Sequence, residues 1–154
     1  MDVRNLNGTP ILLDAAHNSH GLKFFLTESE VRPKLKSLPK PWIVAYATLQ
    51  DKDWQKCLQL LIPKAKACVL TQTQSTRAVS VNEMLKYTES IGASEHCLTF
   101  ESSRVALDHA LKLASELEGT LVVLGSLTLV GEAMEHFDLP VFTEVESGVR
   151  CKSG

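Results

Sequence analysis

The chain contains no G-x-x-x-x-G-K-[ST] and no G-x-G-x-x-G. Both motifs work by letting glycine backbone close around phosphate, so their absence disfavours a self-sufficient nucleotide-hydrolysing or dinucleotide-binding enzyme. There is no G-x-S-x-G either, which makes Ser126 a poor hydrolase nucleophile. No segment reaches the roughly 18 apolar residues that a bilayer span needs, and no basic stretch followed by an apolar run opens the chain, so neither insertion nor secretion is expected. Charge of one sign is also missing: 16 Lys and Arg face 18 Asp and Glu. A net charge of -2 gives no general reason to expect a nucleic-acid or anionic-membrane partner. The cysteines Cys57, Cys68, Cys97 and Cys151 stand far apart without a CxxC pair, and three of them sit in apolar patterns. They read as reduced, buried small hydrophobes in a cytoplasmic protein.

What is present fits one domain of 154 residues with 44% hydrophobic content. Short apolar runs at 11–15, 42–47, 67–72, 96–100 and 120–126 have the length and β-branched or aromatic content of buried strands. Trp54, Cys57, Leu58 and Leu61 recur at helical spacing, as do Leu107, Ala110, Leu111, Ala114 and Leu117. A helix is expected after Asn18 through Leu22, Phe25 and Leu26, with Pro33 ending or kinking it and a short turn carrying Leu35 and Leu38. Ser80 followed by Glu83 predicts a capped helix over 80–91. Strands alternating with helices imply an α/β fold: a Rossmann-like three-layer domain, its sheet mostly parallel with about six strands and helices on both faces. The sixth strand is expected at 140–145. Residues 1–10 read as the remnant of a linker or strand, 11–146 as the domain, and 147–154 as a flexible tail. Strand order cannot be read from the pattern.

Four strand ends carry polar residues, and in open α/β sheets the carboxyl edge is where ligands bind. In "DAAHNSHG" (14–21), Asp14, His17 and Asn18 could face a ligand beside free helix-start amides, or Asp14 or Asn18 could merely cap the helix with His17 exposed. A metal site from Asp14, His17 and His20 has only weak spacing support. In "ATLQDKD" (47–53), Asp51 or Asp53 is expected to cap the next helix and Lys52 is free to point at the ligand edge. Arg77 could hold a carboxylate or phosphate, or pair with a surface neighbour. In "GSLTLVGE" (125–132), Gly125 permits close approach of a ligand and Ser126 offers a hydroxyl at a helix start, or the pair is simply a tight turn.

In this order, "DAAHNSHG", "ATLQDKD", "TRA" and "GSLTLVGE" resemble the C-terminal domain of the Mur ligase superfamily, above all its folylpolyglutamate synthase and dihydrofolate synthase branch. That branch shows D-G-A-H-N-P, D-K-D, R-A and G-S-L-Y-L-V-G. The chain departs from it at Ala15, Ser19 and Thr128, none of which removes a side chain with a chemical role. The family's N-terminal P-loop domain is missing, so the chain looks like the C-terminal third of a longer enzyme.

The resemblance implies amide formation through an acyl phosphate, driven by ATP with Mg2+ held mainly by the absent domains. L-glutamate, folate or dihydropteroate, and the N-terminal P-loop domain would be the partners. It implies that Asp14 and Asn18 serve ATP, that His17 sits by the incoming glutamate and the acyl phosphate as the catalytic candidate, and that Ser126, with Arg77 as a helper, binds the glutamate carboxylate. No metal ligand is assigned in this chain. The alternatives are a peptidoglycan-precursor amino-acid ligase domain and a freestanding, non-catalytic α/β ligand-binding module.

Overall fold

The computed structural model describes residues 1–140. The strand expected over 140–145, apart from Pro140, and the tail over 147–154 lie outside the described residues, as does Cys151. Residues 1–10 are a strand and the start of a hairpin, not a linker. β1 (Asp2–Leu6) pairs antiparallel with β2 (Thr9–Leu13), and Asn7 and Gly8 turn between them at φ 51 and 91. Asn-Gly favours this two-residue turn because both positions need positive φ. β1 is only half buried, as an edge strand is, so it lacks the apolar run that marks the inner strands.

The other strands follow the apolar runs closely: β2, β3 (Trp42–Tyr46), β4 (Ala67–Leu70), β5 (Cys97–Thr99), which forms the opposite edge, and β6 (Thr120–Leu124). The sheet order is β1-β2-β6-β3-β4-β5, and every pairing except β1 with β2 is parallel. The last of the described strands is thus an inner strand of the sheet, between β2 and β3.

Both faces are covered. α1 (Ser19–Val31), α2 (Pro33–Lys36), α3 (Trp54–Leu61) and α4 (Val81–Ser90) place Leu22, Phe25, Leu35, Trp54, Leu58, Leu61 and Met84 against one side. α5 (Ser103–Glu116) and α6 (Leu127–His136) place Ala106, Leu107, Ala110, Ala114, Leu129 and Ala133 against the other. Pro33 breaks α1 and opens α2 at a position where its missing N–H costs nothing. Ser80 caps α4 by accepting the Glu83 N–H at 3.1 Å. Glu83 does not return the bond; its carboxylate accepts instead from the Gln50 amide at 2.9 Å. Cys57, Cys68 and Cys97 are free and buried, as expected of small hydrophobes. Among the described residues no helix is long and apolar enough to cross a membrane.

Gly125 ends β6 at φ 109, and its role differs from the expected one. A Cβ there would overlap the Ala47 carbonyl oxygen and lie 2.8 Å from the Tyr46 ring, so the glycine first of all lets backbone meet the end of β3. Gly125→Ala adds overlap to a left-handed backbone and should cost about 2–5 kcal/mol in urea denaturation. Gly131→Ala, in α6 with nothing within 4 Å of the added carbon, should be neutral or stabilise by up to ~1 kcal/mol. Equal effects at the two glycines would refute this account of Gly125.

Candidate functional site

Because β6 lies between β2 and β3, the segments that leave these three strands start side by side. α1 and α3 then pack on one face and α6 on the other, so the chain parts at β6 and leaves a crevice at the carboxyl edge. A cleft of about 190 Å³ fills that crevice, lined by His17, Leu49, Lys52, Gly125, Ser126, Leu127 and Thr128.

His17 is exposed, with Nδ1 3.1 Å from the Ala15 carbonyl oxygen. A carbonyl only accepts, so Nδ1 carries the hydrogen and Nε2 is the nitrogen left for a ligand. Ser126 is 4% exposed and caps α6: its Oγ accepts the Leu129 N–H at 3.0 Å, leaving the O–H to donate. The amides of Leu127 and Thr128 belong to the first turn of α6, where backbone donors lack intrahelical acceptors and the helix dipole favours negative charge. Lys52 adds a full positive charge, loosely paired with Asp51 at 3.8 Å. Hydroxyl, ammonium and free amides on one small cleft suit a carboxylate or a phosphate, and the Nε2 lone pair of His17 suits a donor beside it.

His17 and Ser126 therefore line the same cleft. Asp14 and Asn18 share the rim but do not line the cleft. Asp14 accepts the Ala16 N–H at 3.1 Å and lies 3.2 Å from the Met1 amino nitrogen. Asn18 is the cap of α1, its Oδ1 accepting the Gly21 N–H at 2.8 Å. Arg77 stands on the next loop, two-thirds exposed, 3.7 Å from Asp51, which is the surface-pair reading. Lys52 and Leu49 were not among the assigned site residues. The available signal was their place just after β3, which only the strand order turns into a neighbour of Ser126. Among the described residues no three His, Cys, Asp or Glu side chains converge as a metal site would require, Asp14, His17 and His20 included.

Asp53 corrects a second expectation. It stands at the cap position of α3 but makes no cap bond there. Its carboxylate accepts the Ser19 N–H at 2.9 Å and the Ser19 hydroxyl, so it serves the first residue of α1 instead. Those two bonds, the hydroxyl first, hold its carboxyl below the usual carboxylate range. Behind it, burial pushes the Cys57 thiol up to about 11.

The fold and this rim belong to a recognisable class. Residues 2–136 match the family model of the dihydrofolate synthetase C-terminal domain, and the chain belongs to that family. A "probable dihydrofolate synthetase" of Schizosaccharomyces pombe is 27% identical over an alignment of 151 positions that covers 92% of this chain and 34% of that protein. Among solved structures, Mycobacterium tuberculosis folylpolyglutamate synthase, complexed with ADP and AMPPCP, superposes with a TM-score of 0.70 at 24% identity, covering 85% of this chain and 30% of that one. The bifunctional folylpolyglutamate synthase/dihydrofolate synthase of Yersinia pestis, complexed with AMPPNP and Mn ion, gives 0.65 at 18% identity, covering 90% and 30%. The chain thus spans about a third of the length of these relatives. The family model that matches is one of the folate branch.

A carboxyl depressed by folding adds stability that is present above the ordinary carboxylate value of about 3.9 and is lost as pH falls through the folded value. Asp53→Asn should therefore flatten the acid limb of the stability–pH curve, measured by urea denaturation between about pH 7 and pH 2. An unchanged acid limb would contradict the Ser19–Asp53 contact.

Proposed function

We propose that the chain is the C-terminal substrate-binding domain of an ATP-dependent ligase that joins L-glutamate to folate or dihydropteroate, and that it is inactive without the P-loop domain. The cleft at the β2, β6 and β3 ends carries this reading. At about 190 Å³ it is smaller than the ~300–1,000 Å³ usual for drug-sized ligands. It suits one small anionic group better than a whole nucleotide and pterin together.

Lys52, the Ser126 hydroxyl and the Leu127 and Thr128 amides hold a carboxylate of glutamate, while His17 Nε2 accepts from its amine and orients it. Leu49 and Leu127 give the cleft apolar edges. Asp14 and Asn18, beside the cleft, are assigned to ATP; the Asn18 cap uses Oδ1 and leaves the amide nitrogen free. Arg77 acts only at a distance, through the charge it shares with Asp51. When bound, ATP supplies the phosphoryl group that activates the acceptor carboxylate as an acyl phosphate. The nucleotide complexes of the Mycobacterium relative and the manganese complex of the Yersinia one support nucleotide and divalent-metal use. We assign Mg2+ to the other domains, since the ligand groups for it do not converge among the described residues. A cytoplasmic location goes with this reading.

The chain alone should show no ATP-dependent condensation of radiolabelled glutamate, and the chain joined to a P-loop domain in one polypeptide should. In that longer enzyme His17→Ala and Ser126→Ala should each raise the glutamate KM about tenfold or more. Ser126→Ala should also cost about 1 kcal/mol of stability through the lost cap. Activity from the chain alone, or wild-type kinetics in both variants, would overturn the proposal.

A further inference from the structure

The cleft has three walls, and two are anchored to different parts of the molecule. The turn carrying His17 is tied to the end of β6 by the Gly125 N–H on the Ala16 carbonyl at 3.1 Å. The loop carrying Leu49 and Lys52 is tied to the loop after β4, by Gln50 N–H on the Arg77 carbonyl at 2.8 Å and Val79 N–H on the Thr48 carbonyl at 3.0 Å. Among the described residues, the hydrogen bonds that join these two walls to each other run from Ser19 to Asp53. Ser19 supplies both of its donors to one carboxylate from 34 residues away. Proline is favoured at this first helical position, and it would supply neither.

We propose that Asp53 is a positioning residue: by taking the N–H and O–H of Ser19 it holds the His17 turn against the Lys52 loop and so sets the width of the cleft. It touches no ligand itself. The Asp53 side chain faces the start of α1, where the positive end of the helix dipole adds to the two bonds. Release of this contact leaves each wall with its own anchor, so the domain remains folded while the spacing between imidazole and ammonium relaxes.

The kinetic side of the test rests on the ligase reading, and the spectroscopic side does not. Ser19→Pro and Asp53→Ala are made singly and together, with Ser19→Ala and Asp53→Asn as milder partners that each keep one bond should the first two fail to fold. In this chain, the ring 1H–15N signals of His17 should move alike in both single variants and no further in the double variant. In the longer enzyme either change should raise the glutamate KM about tenfold, with kcat within about twofold, and the double change should add nothing. Asp53→Asn, which can still accept the Ser19 N–H, should fall between Asp53→Ala and wild type. Additive effects, or His17 signals that stay put in folded variants, would overturn the proposal. Absence of ligase activity in the wild type would count against the function alone, because the His17 signals still decide the latch.

Discussion

The rim of this domain depends on how one strand leaves the sheet. β6 is the last of the described strands and an inner strand of the sheet, so its exit must pass the end of β3 at close range. Gly125 makes that possible by taking a left-handed backbone directly against the Ala47 carbonyl and the Tyr46 ring. A side chain there would push the β6 exit away from β3. Ser126 and the first amides of α6 would move with it, and Leu49 and Lys52 would lose the wall opposite them. A backbone packing contact thus comes before any of the cleft's chemistry.

The same geometry explains which parts of the fold were legible in the sequence. Inner strands such as "WIVAY" and "TLVVL" are buried on both faces, so they appear as unbroken apolar runs whatever their neighbours are. Helices with one buried stripe show their period just as directly, and Pro33 marks its own break. β1 carries no such signature because an edge strand buries little; its one local mark, the Asn7-Gly8 turn, was not read from the sequence. Strand order is set by contacts far apart in sequence. Lys52 therefore could not be placed beside Ser126 until β6 was seen to lie next to β3.

For the candidate site, the legible part was the residue types at strand ends, and His17 and Ser126 do share a cleft. The side chains that sit apart from it do so for local reasons. Asn18 turns its oxygen to its own helix, Asp14 turns to the Ala16 amide, and Arg77 lies on a loop one strand further from β6. Short polar side chains in a turn meet backbone donors two or three residues away, and that local option competes with any ligand. Lys52 pairs only loosely with Asp51, and the Ser126 hydroxyl uses its oxygen for the cap and keeps its hydrogen to donate.

Asp53 shows the limit of local reading most clearly. An acid just before a helix is expected to cap that helix, since the expectation counts only the amides within the next three residues. The α1 terminus brings a second set of donors to the same place, and Ser19 offers an N–H and an O–H together. Two donors on one carboxylate, reinforced by the dipole of a 13-residue helix, outweigh one bond to the start of an eight-residue helix. Proline at position 19 would pre-set the helix backbone and leave the carboxylate to its own helix; serine gives up that backbone bias for a tie across the rim. The acid therefore joins two loops that the chain separates, and its role follows from the donors that the fold brings to it.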